Sequence, residues 1–256
     1  MKDNIVITGS IVLFEESLSD LNKTIDSFLN IPIKNKLFLI DNTPTKFFEY
    51  VFNDERIEYI ASEENIGFGS AHNKIIEKIN NKSAFHLLLN PDVSFEPEVI
   101  SNLITQLNKD ENIAMIAPKV LFANGAHQYS CRRYPNFIEL IGRRFHFLKP
   151  IFKKIIYKGE YRDKDLSKPF YAEYLTGCFQ LYKTNDFLRL NGFDERYFLY
   201  MEDVDICKKI ELLGKKKLYF PQEEITHVLK QGSLKSLKLF FYHLSSAIKY
   251  FLKWGI

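Results

Sequence analysis

The chain has few features that would place it in a membrane or outside the cell. No window approaches about 18 uncharged apolar residues, so no transmembrane helix is predicted. The N-terminus lacks a basic region followed by a long apolar stretch, and we therefore expect no secretory signal. The 256 residues include three cysteines, far apart and without metal-ligand spacing. We expect reduced thiols in a cytosolic protein, two of them packed in the core.

Composition also argues against a disordered chain. Hydrophobic residues make up 46% of the sequence and charged residues 26%. That proportion supplies enough apolar surface for a buried core, and the length fits one large or two small domains. We find no internal repeat and no low-complexity segment.

Acidic residues are scarce in two segments, 142–158 and 229–256, which are basic and rich in aromatic side chains although the net charge is only +3. A single segment of this kind is ordinarily a solvated helix face. Two of them together favour a surface that rests on anionic lipid. Nucleic acid is the competing partner, but no recognition motif supports it. We therefore expect no nucleic-acid partner.

Short apolar runs alternate with segments of helical periodicity through the first half of the chain. This alternation predicts an α/β fold with a doubly wound, largely parallel sheet. The predicted strands are 5–14, 36–42, 56–62 and 84–90, and the predicted helices are 17–31, 69–80 and 96–110. Beyond about residue 117 the connections lengthen. Further strands at 116–122, 171–182 and 216–220 are expected to continue the same sheet.

Polar residues stand where two of these strands end. Asp41 and Asn42 follow the second strand, and Asn90 and Asp92 follow the fourth, whose three leucines indicate burial on both faces. In doubly wound sheets ligands bind beyond the carboxyl ends of the strands, so both pairs are site candidates. The alternative is an ordinary turn, for which the sequence D-N-T-P has ideal chemistry.

The most informative stretch lies between residues 191 and 220. An Asn-Gly turn leads through four large side chains to Glu202 and Asp203, at the start of a helix that Gly214 would close. Acids at a helix N-terminus often serve only as caps that favour the helix dipole. A carboxylate held against an apolar wall is also suited to act as a general base.

This stretch, "GFDERYFLYMEDVDICKKIELLG", resembles the characteristic acidic motif of family 2 glycosyltransferases, which have the GT-A fold. Four other segments resemble family motifs in the family's order: "LFLIDNTPT", "ENIGFGSAHNKII", "LLLNPDV" and "YLTGCFQLYKTNDFLRLNGFDE". The resemblance covers roughly residues 5 to 235. The segment "YSCRRYPNF" and the basic C-terminus further resemble O-antigen rhamnosyltransferases that act on lipid-linked GlcNAc.

The resemblance implies a GT-A domain over residues 1–230, followed by a basic amphipathic helix over 231–256 that contacts a membrane or a partner chain. It implies inverting transfer of a sugar, L-rhamnose from dTDP-L-rhamnose, to a polyprenyl-diphosphate-linked sugar at the cytoplasmic face of the inner membrane. UDP-galactose, UDP-glucose and UDP-galactofuranose are alternative donors on the same framework.

The resemblance also assigns roles to residues. Asp203 is the expected catalytic base, and Glu202 is expected to orient the acceptor or the base. Asp92 and His227 are the expected ligands of a weakly bound Mg²⁺ or Mn²⁺, since a carboxylate suits such an ion. The expected donor contacts are Phe14, Asp41, Asn42, Asn65, Gly67, Asn73, Asn90, Asp92 and Arg132. The expected acceptor contacts are Gly177, Tyr197 and Tyr200.

Two departures from the family pattern bear on these roles. The family's first-strand motif is replaced by "IVLFEES", which leaves the base contacts of that strand open. The N-P-D sequence has one carboxylate fewer than D-x-D, which weakens the predicted metal site. A non-catalytic sugar- or nucleotide-binding module on the same fold is the main alternative. A nucleotidyltransferase ranks below it, because the first strand is not followed by a Gly-rich, basic loop.

Overall fold

The protein is described here by a computed structural model that covers residues 5–46, 48–49, 51–144, 149–229 and 237–255. Its strands are β1 Ile7–Leu13, β2 Asn35–Asp41, β3 Ile57–Ala61, β4 Phe85–Leu89, β5 Val93–Ser94, β6 Ile113–Leu121, β7 Cys131–Arg132, β8 Phe170–Tyr171, β9 Tyr174–Leu175, β10 Phe179–Lys183 and β11 Lys216–His227. Its helices are α1 Leu18–Leu29, α2 Phe68–Asn73, α3 Ile76–Ile79, α4 Glu98–Leu107, α5 Phe137–Arg144, α6 Lys149–Gly159, α7 Thr184–Arg189, α8 Glu202–Leu212 and α9 Leu237–Trp254.

A mixed sheet forms the centre of the fold, in the order β3-β2-β1-β4-β10-β6-β11-β5 with β8 on the outside of β11. Strands β3, β2, β1 and β4 are parallel, as the alternating pattern predicted. Strand β10 enters antiparallel between β4 and β6, and β11 then runs parallel to β6. Helices cover both faces. The predicted α/β fold with a mostly parallel sheet and a C-terminal helix is confirmed.

Three elements differ from the sequence prediction. The predicted strand 171–182 is divided into β8, β9 and β10, because the chain turns out of the sheet between Leu175 and Phe179. The predicted helix 69–80 is two short helices, α2 and α3. Strand β11 continues past residue 220 after a register shift between Phe220 and Glu224, a segment that contains Pro221. Proline has no N–H to donate, so the ladder is interrupted there and resumes beyond it.

The core lies on the two faces of the sheet. Leu87, Leu88 and Leu89 in β4 have no exposed surface, as expected for a strand covered on both sides. All three cysteines are buried and free, where two were expected in the core. No helix among the described residues is long and apolar enough to cross a membrane.

A line of polar side chains crosses this core between β1, β4 and α2. The Ser10 hydroxyl lies 2.8 Å from His72 Nδ1 and 3.0 Å from His86 Nε2. His86 Nδ1 lies 2.9 Å from the Thr8 hydroxyl. Both imidazoles are fully buried. Burial lowers the pKa of His86 to about 3 and that of His72 well below its ordinary value. Both rings are therefore neutral at pH 7.

The two basic segments correspond to α5 with α6 and to α9. The joint between α5 and α6 at 145–148, and residues 230–236 before α9, lie outside the described residues. The predicted domain boundary after residue 230 therefore falls there and remains a prediction. Helix α5 packs against α6, and its Phe137 ring contacts Phe251 of α9 with the centroids 6.2 Å apart.

Candidate active site

Two adjoining clefts meet at the N-terminus of α8. The first, the strand-end cleft, lies beyond the ends of β4 and β11 and is lined by Asn90, Gly177 and His227 among others. The second, the helix cleft, lies against α5 and α9 and is lined by Leu140 and Phe240 among others. Arg132, Thr176, Tyr200, Glu202 and Asp203 line both clefts. A molecule in one cleft therefore meets a molecule in the other at these shared residues.

The Glu202–Asp203 pair occupies the first turn of α8. Asp203 Oδ2 accepts the Gly177 N–H at 3.0 Å, and Oδ1 accepts the Val204 N–H at 2.9 Å. Glu202 is 6% exposed, and among the described atoms its buried Oε2 has no hydrogen-bond partner. Burial and the neighbouring Asp203 charge raise the pKa of Glu202 well above its ordinary value. Burial also raises the pKa of Asp203, while the two N–H groups and Arg132 oppose that rise. Glu202 is therefore the more readily protonated member of the pair, and Asp203 is the more readily ionised.

The backbone before the pair is held in an uncommon conformation. Tyr200 and Met201 both have φ of 69°, in the left-handed region that residues with a side chain seldom adopt. Each such residue costs roughly 1–3 kcal/mol unless the surroundings hold it in place. This turn places Tyr200 on the wall of both clefts and directs the first residues of α8 toward Gly177. Any Cβ at Gly177 would lie 3.3 Å from Asp203 Cβ, so glycine permits the close approach.

His227 lines the strand-end cleft. Asp92 lies behind this lining, with its Oδ1 3.2 Å from His227 Nε2. Both side chains are buried. Gln128 donates from Nε2 to the His227 carbonyl at 2.5 Å and so presents Oε1 to Nδ1 at 3.0 Å. In a neutral imidazole this arrangement places the proton on Nδ1, so that the lone pair of Nε2 faces Asp92 and Asn90. Burial lowers the pKa of His227, but the opposite effects of Cys178 and Asp92 are larger, and together they raise this pKa to about 10. Asn90 Nδ2 lies 3.3 Å from Nε2.

The glycosyl transferase family 2 profile matches residues 11–188 of this chain. The match covers more than half of the sequence and runs from β1 to α7. The chain belongs to glycosyl transferase family 2. The Glu202–Asp203 pair and His227 lie beyond the matched residues.

Two curated proteins are similar to this family 2 member. It is 29% identical over 195 residues to rhamnosyltransferase WbbL of Escherichia coli (strain K12). The aligned region covers 72% of this chain and 69% of the relative. The chain is 26% identical over 183 residues to N-acetylglucosaminyl-diphospho-decaprenol L-rhamnosyltransferase of Mycobacterium tuberculosis. That aligned region covers 67% of this chain. The matched region spans 58% of that mycobacterial protein.

A solved structure has a similar fold. The crystal structure of GalNAc-T7 with UDP, GalNAc and Mn²⁺ superposes with a TM-score of 0.67 at 16% sequence identity, over 93% of this chain and 48% of that chain. At this sequence identity the similarity supports only the fold, which agrees with the GT-A architecture predicted from the sequence.

The predicted nucleotide-base residues form a hydrogen-bonded corner after β2. Asp41 is fully buried; its Oδ1 accepts the Thr43 N–H at 2.8 Å and its Oδ2 accepts the Tyr59 hydroxyl at 2.7 Å. Burial and the Asp41 carboxylate raise the pKa of Tyr59, so the phenol stays protonated and donates. Both carboxylate oxygens thus bind groups of the chain itself. Phe14, after β1, is 42% exposed.

The predicted glycine loop is bound to the same corner. Asn42 Nδ2 donates to the Gly67 carbonyl at 3.1 Å and lies 3.3 Å from Asn65 Oδ1. Asn65 Oδ1 also accepts the Gly67 N–H at 3.0 Å. Gly67 has φ of 89°, and a Cβ there would collide with the Phe198 carbonyl oxygen. The loop is therefore held against the segment that precedes the Glu202–Asp203 pair.

Two predicted contact residues have their side chains directed elsewhere. Asn73 Oδ1 accepts the Phe193 N–H at 2.8 Å and its Nδ2 donates to the Phe193 carbonyl at 2.9 Å, so it fixes that loop. Tyr197 is fully buried and donates to Asp205 Oδ1 at 3.1 Å. Neither residue lines either cleft. Arg132 lines both and donates from Nε to the Tyr129 carbonyl.

Sequence reasoning missed Gln128 and Cys178, both of which line the strand-end cleft beside His227. No local pattern marks them. Gln128 is 99 residues from its histidine, and their contact depends on the pairing of β6 with β11.

Proposed function

We propose that this family 2 glycosyltransferase transfers L-rhamnose from dTDP-L-rhamnose to a sugar linked to polyprenyl diphosphate, with inversion at the anomeric carbon. The observation that carries the proposal is the position of the Asp203 carboxyl group at the junction of two clefts. The printed names of the two curated relatives favour rhamnose as the sugar and a lipid diphosphate as the acceptor's carrier. UDP-galactose, UDP-glucose and UDP-galactofuranose are the alternative donors.

In this proposal the donor occupies the strand-end cleft and the acceptor sugar enters through the helix cleft. Asp203 takes the proton from the acceptor hydroxyl as that oxygen attacks the anomeric carbon. The bond from the anomeric carbon to the diphosphate oxygen breaks, and its electron pair stays on the diphosphate. Attack from the face opposite the leaving group inverts the configuration. Glu202, which keeps its proton, donates a hydrogen bond that orients the acceptor. Gly177 holds Asp203 through its N–H, and Tyr200 supplies an aromatic wall.

Asp92 and His227 are the proposed ligands of a Mg²⁺ or Mn²⁺ ion. An oxygen and a nitrogen 3.2 Å apart form a donor set that suits such an ion once the shared proton leaves. When bound, the cation stabilises the charge that develops on the leaving diphosphate. No group of three or more His, Cys, Asp or Glu side chains that could hold a metal occurs in the described parts of the chain. Two protein ligands fit a weak site that the diphosphate completes, with Asn90 beside it.

For the donor nucleotide we propose the corner formed after β1 and β2. Phe14 offers an exposed ring, and Asn42, Asn65 and Gly67 form the adjoining loop. Asp41 acts by holding this corner in shape, because its oxygens are occupied within the chain. Arg132 is placed to meet a phosphate at the junction of the clefts. Asn73 and Tyr197 support the loops around the site through their own contacts.

Because the proposed acceptor is linked to a lipid, we expect a membrane surface to lie near the helix cleft. One face of α9 is apolar and exposed along five helical positions: Leu237, Phe241, Leu244, Ile248 and Leu252. The sequence has no acidic residue after Glu224. We propose that this face rests on anionic lipid at the cytoplasmic side of the inner membrane. Sedimentation with phosphatidylglycerol vesicles but not phosphatidylcholine vesicles, lost in Phe241→Ser/Leu252→Ser, is the expected result. A concentration-dependent dimer without vesicle binding would instead assign the face to a second chain.

The proposed reaction is tested with Asp203→Asn and a GlcNAc-diphosphate-lipid acceptor. We expect the variant to lose transfer by about 100-fold or more while it binds dTDP-rhamnose as the wild type does. Glu98→Gln, an exposed acid in the first turn of α4, is the matched control and should keep full activity. If Asp203→Asn transferred sugar at the wild-type rate, the assigned base would be wrong. Donor binding by the wild type without transfer to any acceptor would support the binding-module alternative.

A further inference from the structure

The inner face of α9 packs against the segment that carries the Glu202–Asp203 pair. Ser246, Ala247, Tyr250 and Phe251 are buried on this face, which adjoins the exposed apolar stripe. One face of the helix is therefore covered by the protein, and the neighbouring face is open. The polar contacts of α9 fall on residues 194–205, which lead into and include the first turn of α8. Phe251 also contacts Phe137 of α5.

Polar contacts from the last turn of α9 converge on two aspartates. Lys253 Nζ lies 2.7 Å from Asp194 Oδ2 and 2.7 Å from Asp205 Oδ1. Trp254 Nε1 donates to the same Asp205 oxygen at 2.7 Å. Asp205 has no exposed surface, and it also accepts the Tyr197 hydroxyl. A buried carboxylate deprived of its cation would be costly, so the pairing is strongly favoured in the folded protein.

Earlier turns of α9 hold the backbone between these aspartates. Ser246 Oγ donates to the Leu199 carbonyl at 2.9 Å, and Lys249 Nζ donates to the Arg196 carbonyl at 2.7 Å. Aromatic rings add two further contacts: Phe198 with Tyr242 at 4.5 Å and Tyr200 with His243 at 5.1 Å between centroids. Each contact joins α9 to a residue within seven positions of Asp203.

The segment held in this way is the strained one. Tyr200 and Met201 have left-handed backbones, and such residues persist only where surrounding contacts fix them. The hydrogen bond from Gly177 to Asp203 depends on the direction in which α8 starts. Asp205 stands two residues after Asp203 on the same helical turn, so a ligand on Asp205 restrains the position of Asp203.

We propose that α9 is a positioning element of the active site, and that Lys253 and Trp254 are positioning residues that act through Asp205 and Asp194. They hold the left-handed turn so that Asp203 stays on the Gly177 N–H and faces the acceptor. The inference rests on the proposed role of Asp203 as the base. The inference also connects the proposed membrane-binding stripe of α9 with the position of Asp203, because the same helix carries the stripe and the contacts to residues 194–205.

The test compares Lys253→Met and Trp254→Phe in the full chain with a water-soluble acceptor. We expect kcat to fall by about tenfold to 100-fold, because small displacements of reacting groups cost rates of this order. Donor Kd should stay within about twofold of wild type, since Asn90, Asp92 and His227 lie outside the segment 194–205 that α9 holds. Lys253→Arg should recover most of the rate, because the cation and its donors remain. Lys23→Met, an exposed lysine in α1, is the control and should leave kcat unchanged.

Amide hydrogen exchange provides a readout that needs no turnover. In Lys253→Met, residues 194–205 should exchange faster while β1 and β4 exchange as in the wild type. Unchanged kcat with unchanged exchange would overturn the proposal. Equal losses of kcat, donor binding and exchange protection throughout the chain would also overturn it, because they indicate a purely structural lysine. If the wild type transferred no sugar, the proposed function would fail, and the exchange comparison would still decide whether α9 holds the loop.

Discussion

The buried histidines predict how the stability of this protein depends on pH. His86 is fully buried, and its pKa falls from 6.5 in the unfolded chain to about 3 in the folded protein. Between those values the unfolded chain binds a proton that the folded protein does not. Stability is therefore complete above pH 6.5 and is lost as the pH falls. His72 lies in the same core and shifts in the same direction.

The expected size follows from linkage. Each pH unit below 6.5 removes about 1.4 kcal/mol for one such histidine, so His86 alone costs about 2 kcal/mol of unfolding free energy at pH 5. Replacement of His86 by Gln removes this titration and keeps a side chain that hydrogen-bonds to Thr8 and Ser10. The variant is expected to be less stable than the wild type at pH 7, because the core is repacked around it.

Urea unfolding followed by circular dichroism at pH 8, 7, 6 and 5 measures the effect. The wild type should lose about 2 kcal/mol more than His86→Gln between pH 7 and pH 5, while the two proteins run parallel between pH 8 and pH 7. Parallel curves over the whole range would refute the reasoning, as would a wild type that gains stability on acidification.

Three further predictions concern the site. Gly67→Ala should destabilise the fold by about 1–3 kcal/mol, because it puts a Cβ at positive φ against the Phe198 carbonyl; a thermal melt as high as that of the wild type would contradict this. Gly177→Ala should lower kcat about tenfold with donor Kd unchanged, because the new methyl displaces Asp203; a normal kcat would show that the close approach is unimportant. Glu202→Gln should abolish the alkaline limb of the kcat/KM pH profile and keep the acid limb, which Asp203 sets. The raised pKa of Asp203 places that acid limb above 3.8. An alkaline limb that is unchanged in the variant would belong to a group other than Glu202.

Local sequence patterns were sufficient for the parallel half of the sheet. Alternation of apolar runs and helical periodicity located β1 to β4, because each element there buries its own face and ends at a polar turn. The same patterns failed at residues 171–182. An apolar run of that length fits one strand, but β9 pairs with β7 in a separate two-stranded sheet and the Gly177 N–H donates to Asp203, and both contacts are with distant segments.

The candidate site shows the same division. The sequence placed Asp92 at a strand end, and family resemblance marked the Glu202–Asp203 pair. Burial decided how the pair behaves, because it raises the pKa of both carboxyl groups and that of Glu202 well above its ordinary value. The sequence predicts that Asp41 meets the nucleotide, and only the fold shows that Tyr59 and the Thr43 N–H also donate to its oxygens.

By itself the sequence located β1 to β4, α1 and α4 and the polar groups that follow β2 and β4, because those choices depend on neighbours within a few positions. Only the tertiary structure decided which distant groups meet. Antiparallel pairing of β11 with β5 brings His227 to Asp92, and the packing of α9 brings Lys253 to Asp205. Such contacts form when whole helices and strands pack against one another, and a local sequence pattern therefore does not predict them.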